Sequence, residues 1–270
     1  MPHTADPLAP IGVFDSGVGG LSVLRALRQK LPGESFIYVA DSGHGPYGDR
    51  SPDFIEVRAN ALAGFLVSHR VKALVLACNT ASVVAASRLR AQYTLPIVAL
   101  EPAIKPAVLL TVTKVVLVLA TTNTIRSPSV ANLCSTYGAE VNIILQPCPG
   151  LMEQVERGLF KHSETRRLLE KYIMPGLAAG ADTIVLGCTH YAFLAEEIAL
   201  IAGVSVSLVE PSEAIARQLM RRLATPPAPC HTPTEAAFYT SGSPAALADF
   251  LSSVGEPHSQ VYALPTAHNS

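Results

Sequence analysis

Short runs of aliphatic and β-branched residues alternate along the chain with segments whose apolar positions recur at helical spacing. In the N-terminal part, strands are predicted at residues 11–14, 36–40 and 73–77, and helices at residues 21–27 and 81–92. A further helix is predicted to begin at Ser51-Pro52, with the serine as N-cap and the proline at the first helical position. Such alternation is typical of parallel α/β architecture.

The pattern then restarts in the second half of the chain. Strands are predicted at residues 115–120, 141–145, 183–187, 204–209 and 237–240. Helices are predicted to begin at Ser127-Pro128, at Ser163, at Ser212 and at Ser243-Pro244, with Ser127 and Ser212 as N-caps. Residues 225–234 contain four prolines and predict a loop or linker.

Two stretches follow one plan, in which a cysteine stands where a buried strand passes into a helix. These stretches are Leu-Val-Leu-Ala-Cys-Asn-Thr at 74–80 and Ile-Val-Leu-Gly-Cys-Thr-His at 184–190. The two cysteines are 110 positions apart, and the ends of the first strand of each unit, at Asp15 and Thr121, are 106 positions apart. Two matched pairs at nearly one offset predict an internal duplication of an α/β unit.

Composition narrows the class of protein. Charged residues make up 15% of the chain and apolar residues 49%, which excludes an intrinsically disordered protein. The net charge of −1 gives no electrostatic basis for binding nucleic acid. No apolar run approaches the ~20 residues of a membrane-spanning helix, and residues 1–10 lack the features of a signal peptide, so we expect a cytoplasmic protein that binds no membrane.

The five cysteines differ in their surroundings. Cys78 and Cys188 stand at predicted helix N-termini, where a thiolate is stabilised, and either could instead be a small buried apolar residue. We interpret Cys134, Cys148 and Cys230 as structural. The five cysteines are odd in number and widely spaced, so no disulfide framework is predicted. No motif has the ligand spacing of a zinc site.

The residues that follow the two cysteines are polar: Asn79-Thr80 after the first and Thr189-His190 after the second. Ligands of open parallel sheets bind beyond the carboxyl ends of the strands. Two thiols at equivalent points of two facing units would flank one ligand from opposite sides. This arrangement suits removal of a proton from one face of a carbon and delivery to the other. A cysteine hydrolase using Cys188 and His190 is disfavoured, since residues i and i+2 at a strand end point differently.

A glycine-rich turn follows the first strand. Its sequence, Asp15-Ser16-Gly-Val-Gly-Gly, lacks the lysine of a phosphate loop and the complete dinucleotide fingerprint, so a nucleotide site is not expected. The turn could carry a functional carboxylate, or Asp15 could simply cap the next helix. Pro46-Tyr47-Gly48 lies in a predicted loop, and loops on a rigid scaffold often carry binding groups.

Together these segments resemble the glutamate racemases of the cofactor-independent aspartate/glutamate racemase superfamily. The matching stretches occur in the family's order at 12–24, 40–48, 77–82, 101–107, 146–151 and 185–191. Two positions depart from the usual family pattern, Gly45 before Pro46-Tyr47 and Ala192 after Tyr191. Neither residue donates or accepts a proton, so the departures concern the rigidity of loops rather than activity.

The resemblance implies an isomerase that interconverts L-glutamate and D-glutamate without a cofactor, with D-glutamate supplied to peptidoglycan synthesis and hence to the cell wall and cell shape. It also implies two pseudosymmetric α/β domains, each a mostly parallel sheet flanked by helices, with the active site in the cleft between them. The first domain would comprise residues 1–100 and 211–270, and the second residues 101–210. The family suggests a homodimer.

Matching positions imply roles for individual residues. Cys78 and Cys188 would be the acid/base pair, assisted by Asp15 beside the first and His190 beside the second. Contacts with substrate are implied for Asp15, Ser16, Tyr47, Gly48, Asn79, Thr80, Thr121, Thr189 and His190. Asp41 and Glu153 match further acidic positions. Asp15 could form hydrogen bonds, accept a proton or contact the substrate ammonium group.

Two alternatives remain at this stage. An aspartate-type racemase of the same superfamily would use the same chemistry on a substrate shorter by one methylene, which is worth only ~1–3 kcal/mol in a pocket. A non-catalytic protein that binds small carboxylates would use the cysteines only for packing.

Overall fold

The computed structural model describes residues 6–223, 236–256 and 260–265, so the predicted linker at 225–234 and Cys230 lie outside it. The strands are β1 (Ile11–Asp15), β2 (Phe36–Ala40), β3 (Ala73–Leu76), β4 (Ile97–Ala99), β5 (Val115–Ala120), β6 (Asn142–Pro147), β7 (Thr183–Leu186), β8 (Ser207–Val209), β9 (Ala236–Thr240) and β10 (Val261–Ala263). The helices are α1 (Leu21–Lys30), α2 (Pro52–Ser68), α3 (Asn79–Gln92), α4 (Ile104–Leu110), α5 (Thr122–Arg126), α6 (Pro128–Tyr137), α7 (Leu151–Glu156), α8 (Ser163–Ala178), α9 (Ala195–Ala202), α10 (Ser212–Arg222) and α11 (Pro244–Ser253), with a 3₁₀ helix at Thr189–Leu194.

The strands form two sheets, and every described strand pair is parallel. The first sheet has the order β10-β9-β2-β1-β3-β4 and the second the order β6-β5-β7-β8. We refer to each sheet with its helices as the first and the second domain. The predicted α/β class with two mostly parallel sheets is confirmed.

The strand order bears out the predicted duplication. Strands β1 to β4 are arranged in the order second, first, third, fourth, and strands β5 to β8 repeat that order. Each cysteine follows the third strand of its unit, Cys78 after β3 and Cys188 after β7. Each unit thus brings its cysteine to the carboxyl edge of its sheet, where ligands of open parallel sheets bind.

Three apolar clusters hold the layers together. One lies between the first sheet and α2 and α3, and another packs α4 and α6 against the second sheet. The largest includes residues of α1, α10 and α11 from the first domain and of α7, α8 and α9 from the second. Because apolar burial is the main favourable contribution to folding, this shared cluster also holds the domains together.

The C-terminal segment completes the first sheet. Strand β9 pairs with β2 along its whole length, from Phe36–Ala236 to Ala40–Thr240, and β10 pairs with β9. Helix α10 packs against α1. The assignment of the C-terminal part to the first domain is consistent with this pairing, while the boundaries at residues 100 and 210 stay a prediction. Among the described residues, no helix is long and apolar enough to cross a membrane.

Some local predictions are confirmed and others are wrong. Ser51 and Ser127 cap their helices, accepting hydrogen bonds from the backbone N–H groups of Phe54 (3.3 Å) and Val130 (3.2 Å). Ser212 does not cap α10, since its hydroxyl and N–H both bond to Glu210. The strand predicted at 204–209 begins only at 207, because residues 203–206 form a turn in which the N–H of Val206 donates to Gly203 (3.2 Å).

Other differences concern short elements. Helix α3 begins at Asn79, two residues earlier than predicted, and the segment after Cys188 starts as a 3₁₀ helix. Strands β4 and β10 and helices α4, α5 and α7, of three to seven residues each, are absent from the prediction. Elements this short carry little periodicity, and packing against the sheets determines them.

Candidate active site

Two buried cysteines stand at equivalent edges of the two sheets. Cys78 and Cys188 are each 5% exposed. Cys78 is the N-cap of α3, and its sulfur accepts a hydrogen bond from the backbone N–H of Ala81 (3.4 Å). Burial, together with the negative charges of Asp15 and Cys188, raises the pKa of the Cys78 thiol to about 12. Cys78 is therefore held as a protonated thiol at neutral pH.

Cys188 is paired with an imidazole. Its sulfur lies 3.7 Å from Nδ1 of His190, and Nε2 of the same ring lies 2.7 Å from Oε1 of Glu156. Burial alone would lower the pKa of His190, but the hydrogen bonds to Cys188 and Glu156 raise it well above 6.5. These bonds favour the imidazolium form of the ring, whose positive charge stabilises a negative sulfur beside it.

Asp15 is the last residue of β1, and its side chain reaches the residue that follows Cys188. The carboxylate is fully buried and accepts hydrogen bonds from the N–H of Gly17 (2.8 Å) and the hydroxyl of Thr189 (3.0 Å). Burial raises the pKa of Asp15 to about 6, against the lowering effect of the positive charge on His190. Asp15 does not cap α1, because the N-cap position of this helix is Gly20, which has no side chain to accept a hydrogen bond.

The glycine-rich turn is required by the close approach of the second domain. A Cβ at Gly17 would lie 1.8 Å from Oε1 of Glu156, and a Cβ at Gly19 would lie 2.3 Å from Nδ1 of His190. The N–H of Val18 donates to Oε1 of Glu156 (2.9 Å). The turn thus brings first-domain backbone against the imidazole–carboxylate pair of the second domain.

Three threonine hydroxyls form a hydrogen-bonded group between the two domains. Oγ1 of Thr80, at the start of α3, lies 2.9 Å from Oγ1 of Thr121, at the end of β5. Both also lie within hydrogen-bond distance of Thr124. Asn79 is 2% exposed, and both polar atoms of its side chain lack a hydrogen-bond partner among the described residues. Buried polar groups are rarely left unpaired, so this amide is available to a ligand.

Ser16 and the Tyr47-Gly48 segment adjoin this site. The thiol of Cys78 donates to Oγ of Ser16 (3.5 Å). Gly48 is buried, and a Cβ there would lie 2.9 Å from Cε of Met152 and 3.3 Å from Cβ of Thr121. The hydroxyl of Tyr47 donates to Asp41, so it is held inside the first domain.

Asp41 has a different environment from Asp15. It is fully buried and accepts two hydrogen bonds from Arg58, at 2.9 and 2.8 Å. Burial would raise the pKa of Asp41, but the bonds from Arg58, Ser241 and Tyr47 hold it below its ordinary value. Asp41 therefore remains ionised and supports the loop that carries Tyr47.

A cavity of about 300 Å³ opens beside Ser16 and Glu156, with Glu153 and Arg157 also lining it. Glu153 is exposed at this rim, whereas Glu156, one turn further along α7, bonds to His190. Sequence comparison at the level of motifs selected Glu153 and missed Glu156. Nothing in the sequence singled out Glu156, because α7 has only six residues and carries little periodicity.

The other described cysteines take no part in the hydrogen bonds of Cys78 and Cys188 given above. Cys148 is buried with its thiol donating to the carbonyl of Gln146 (3.3 Å), and Cys134 is half-buried on α6. Burial raises the pKa of both thiols. In the part of the chain that is described, no three His, Cys, Asp or Glu side chains cluster as metal ligands would.

Comparison with known proteins agrees with this geometry. A sequence model of the Asp/Glu/Hydantoin racemase family matches residues 11–219. The glutamate racemase of Stutzerimonas stutzeri (strain A1501) is 47% identical over 248 residues, which cover 92% of this chain and 94% of that protein. The chain belongs to the glutamate racemase family. This membership favours a glutamate racemase over the aspartate-type alternative.

Solved structures of this family have the same fold. The glutamate racemase isoform RacE1 from Bacillus anthracis superposes with a TM-score of 0.87 at 27% identity, covering 96% of this chain and 98% of that one. The Escherichia coli glutamate racemase, solved with L-glutamate and the activator UDP-MurNAc-ala, gives a TM-score of 0.83 at 32% identity, covering 96% and 100%. The racemase fold therefore extends over nearly the whole chain.

Proposed function

We propose that this chain is an isomerase that interconverts L- and D-glutamate, with Cys78 and Cys188 as the two acid/base groups. The observation that carries this proposal is their placement: two buried cysteines that follow equivalent strands of two sheets with the same strand order. One sulfur, as thiolate, takes the proton from Cα of the substrate. The other, as thiol, delivers its own proton to the opposite face of the resulting carbanion. The substrate is inverted, and the two sulfurs exchange protonation states.

The surroundings of the two sulfurs supply the asymmetric resting state that this reaction needs. The imidazolium of His190 stabilises negative charge on Cys188, and Glu156 in turn stabilises the imidazolium. The buried negative charge of Asp15 raises the pKa of Cys78, after the larger effect of burial, and so favours a thiol there. Asp15 thereby sets which sulfur begins as the acid. A proton-transfer group works best when its protonation state is fixed in advance in this way.

Polar groups around the two cysteines would bind the substrate. The contacts would come from Ser16, Tyr47, Gly48, Asn79, Thr80, Thr121 and Thr189. The unpaired amide of Asn79 and the first backbone N–H groups of α3 suit a carboxylate, because helix N-termini stabilise negative charge. The Thr80 and Thr121 hydroxyls bond to each other and are positioned to exchange that bond for substrate oxygens. Tyr47 would act through its main chain, since its hydroxyl bonds to Asp41.

The proposal includes no cofactor, because acid/base groups and hydrogen-bond donors around the carbanion supply the chemistry. Dialysis against a chelator should leave activity unchanged, and the purified protein should lack the absorbance of a pyridoxal imine. D-Glutamate made in this way would enter peptidoglycan synthesis. We propose that the protein is a homodimer and is located in the cytoplasm. Light scattering of the purified protein tests the dimer.

Isotope incorporation tests the two-base reaction. L-Glutamate is incubated with the enzyme in D2O, and the reaction is stopped early. Since a thiol exchanges its hydrogen with solvent, the D-glutamate formed should carry deuterium at Cα, while the remaining L-glutamate should carry little. Return of the original hydrogen to the product, or equal labelling of both enantiomers, contradicts separate roles for the two cysteines.

Substrate choice is tested in the same assay. The kcat/KM for L-aspartate should be lower than that for L-glutamate by at least about tenfold, as expected for a site that is filled by one further methylene. Equal or higher kcat/KM on aspartate would favour the aspartate-type alternative, and absence of turnover on both would favour a carboxylate-binding protein.

A further inference from the structure

Asn123 connects the second domain to a loop of the first. It is the second residue of α5, directly beyond the carboxyl end of β5. Its backbone N–H donates to the carbonyl of Gly48 (3.1 Å), and its side-chain Nδ2 donates to the carbonyls of Tyr47 (3.1 Å) and Arg50 (2.8 Å). One residue of the second domain therefore bonds to three main-chain carbonyls in the loop between β2 and α2.

The same loop is fixed to the first domain by other groups. The hydroxyl of Tyr47 donates to Asp41, which Arg58 holds with two hydrogen bonds. The N–H of Arg50 donates to the carbonyl of Tyr47 (3.2 Å), closing a turn around Gly48. First-domain side chains thus fix the start of the loop and its tyrosine, while Asn123 bonds to the carbonyls that face the second domain.

This junction borders the candidate site. Thr121, two residues before Asn123, lies against Gly48 and shares a hydrogen bond with Thr80. Separation of the domains at this point would break the bonds of Asn123 and also separate Gly48 from Thr121. The acceptors in these bonds are main-chain carbonyls, which any residue would supply. The side-chain amide of Asn123 is therefore the group that depends on the identity of the residue.

We propose that Asn123 is a positioning residue that holds the cleft closed over Cys78 and Cys188 and fixes the Tyr47–Gly48 turn for substrate binding. The inference rests on the proposed function and extends it, since Asn123 touches neither sulfur and acts through the loop. We call the side-chain amide of Asn123 and the carbonyls of Tyr47 and Arg50 the interdomain clasp.

Asn123→Asp is the sharpest variant. An aspartate has nearly the size of asparagine, but it loses both amide N–H donors and places a carboxylate oxygen against two carbonyl oxygens. An acidic residue in the first turn of a helix is favourable, so α5 itself should not be weakened. Asn123→Ala removes the donors without adding charge and serves as the second variant. Asn132→Asp is the matched control, because Asn132 is exposed on α6 of the same domain.

The first readout needs no turnover. The rate of alkylation by iodoacetamide is measured for Cys78 and Cys188 by mass spectrometry, with Cys134 as the internal reference. Both cysteines are 5% exposed, so alkylation requires opening of the cleft. Loss of the clasp should raise both rates about tenfold, as the loss of one or two net hydrogen bonds predicts, and leave the Cys134 rate unchanged.

The second readout separates positioning from chemistry. In Asn123→Asp and Asn123→Ala, KM for L-glutamate should rise about tenfold with kcat within about threefold of the wild-type value, because interactions lost equally from the substrate and transition-state complexes change KM alone. Asn132→Asp should match the wild type in both readouts.

The proposal requires both changes. If alkylation rates or KM stay within about twofold of the wild type, or if kcat falls while KM does not rise, Asn123 does not act as proposed. Circular dichroism confirms that each variant is folded. A wild-type protein that racemises no glutamate would contradict the proposed function, while the alkylation rates would still decide whether Asn123 holds the cleft closed.

Discussion

Oε1 of Glu156 lies 2.7 Å from Nε2 of His190 and also accepts a hydrogen bond from the N–H of Val18 at 2.9 Å. One carboxylate oxygen of the second domain therefore holds the imidazole beside Cys188 and contacts the glycine-rich turn of the first domain. Contact between the domains and the charge of the imidazole beside Cys188 therefore depend on the same atom.

Glu156→Gln should lower activity at neutral and alkaline pH. The hydrogen bonds to Cys188 and Glu156 raise the pKa of His190 against the effect of burial, so removal of one negative partner lowers that pKa. The imidazolium is then lost at lower pH, and the alkaline limb of the kcat profile should move to lower pH. We expect kcat at neutral pH to fall by about tenfold or more. Glu170→Gln, on the exposed face of α8, is the control. An unchanged alkaline limb in Glu156→Gln would show that Glu156 does not control the charge of His190.

Asp15→Asn should stabilise the protein while impairing catalysis. The pKa of Asp15 is about 6 in the folded state and 3.8 ordinarily, so the folded state binds more protons than the unfolded chain between these values. The free energy of unfolding contributed by Asp15 therefore falls as pH rises from about 4 to about 6, by about 3 kcal/mol in total.

The comparison is made by urea denaturation of wild type and Asp15→Asn at pH 4.5 and pH 7.5. The variant should gain stability relative to the wild type between these two pH values, since asparagine carries no charge. A difference between the two proteins that is independent of pH would contradict the raised pKa of Asp15.

Gly19→Ala should reduce activity strongly, although it adds only one methyl group. A Cβ at position 19 would lie 2.3 Å from Nδ1 of His190 and 2.5 Å from Oγ1 of Thr189, so the imidazole must move from Cys188. We expect kcat/KM to fall by about 100-fold, because small displacements of catalytic groups are costly. Gly64→Ala is the matched control: it lies inside α2, and the nearest atom to its Cβ is the Tyr93 hydroxyl at 3.7 Å. This control should keep its kinetics and gain roughly 0.5–1 kcal/mol of stability.

Cys78→Ser and Cys188→Ser should each lower kcat in both directions, by at least about 100-fold. Each direction uses one sulfur as base and the other as acid, so neither variant retains a complete pair. Cys134→Ser, on the half-buried face of α6, should stay within about twofold of the wild type. Near-normal turnover by either site variant would remove that cysteine from the mechanism.

The local parts of the fold could be predicted from the sequence. Strand–cysteine–helix segments at 73–92 and 183–202 are visible because buried strands and amphipathic helices have short, distinct periodicities. The similar spacings of Asp15 with Thr121 and of Cys78 with Cys188, 106 and 110 positions, predicted two related units, and the repeated strand order agrees with this prediction. The sequence alone therefore places these side chains at the carboxyl ends of the strands, where ligands of parallel sheets bind.

Only the tertiary structure decided which distant side chains meet. Several contacts join residues that are 34 to 171 positions apart in the sequence. They are those of Glu156 with His190, of Gly17 and Gly19 with the second domain, and of Asn123 with the Tyr47–Gly48 turn. No periodicity encodes such distances, because they depend on how two sheets pack about a shared apolar core. The sequence by itself determined which residues stand at the strand ends, and the packing of the two domains determined which of them become partners.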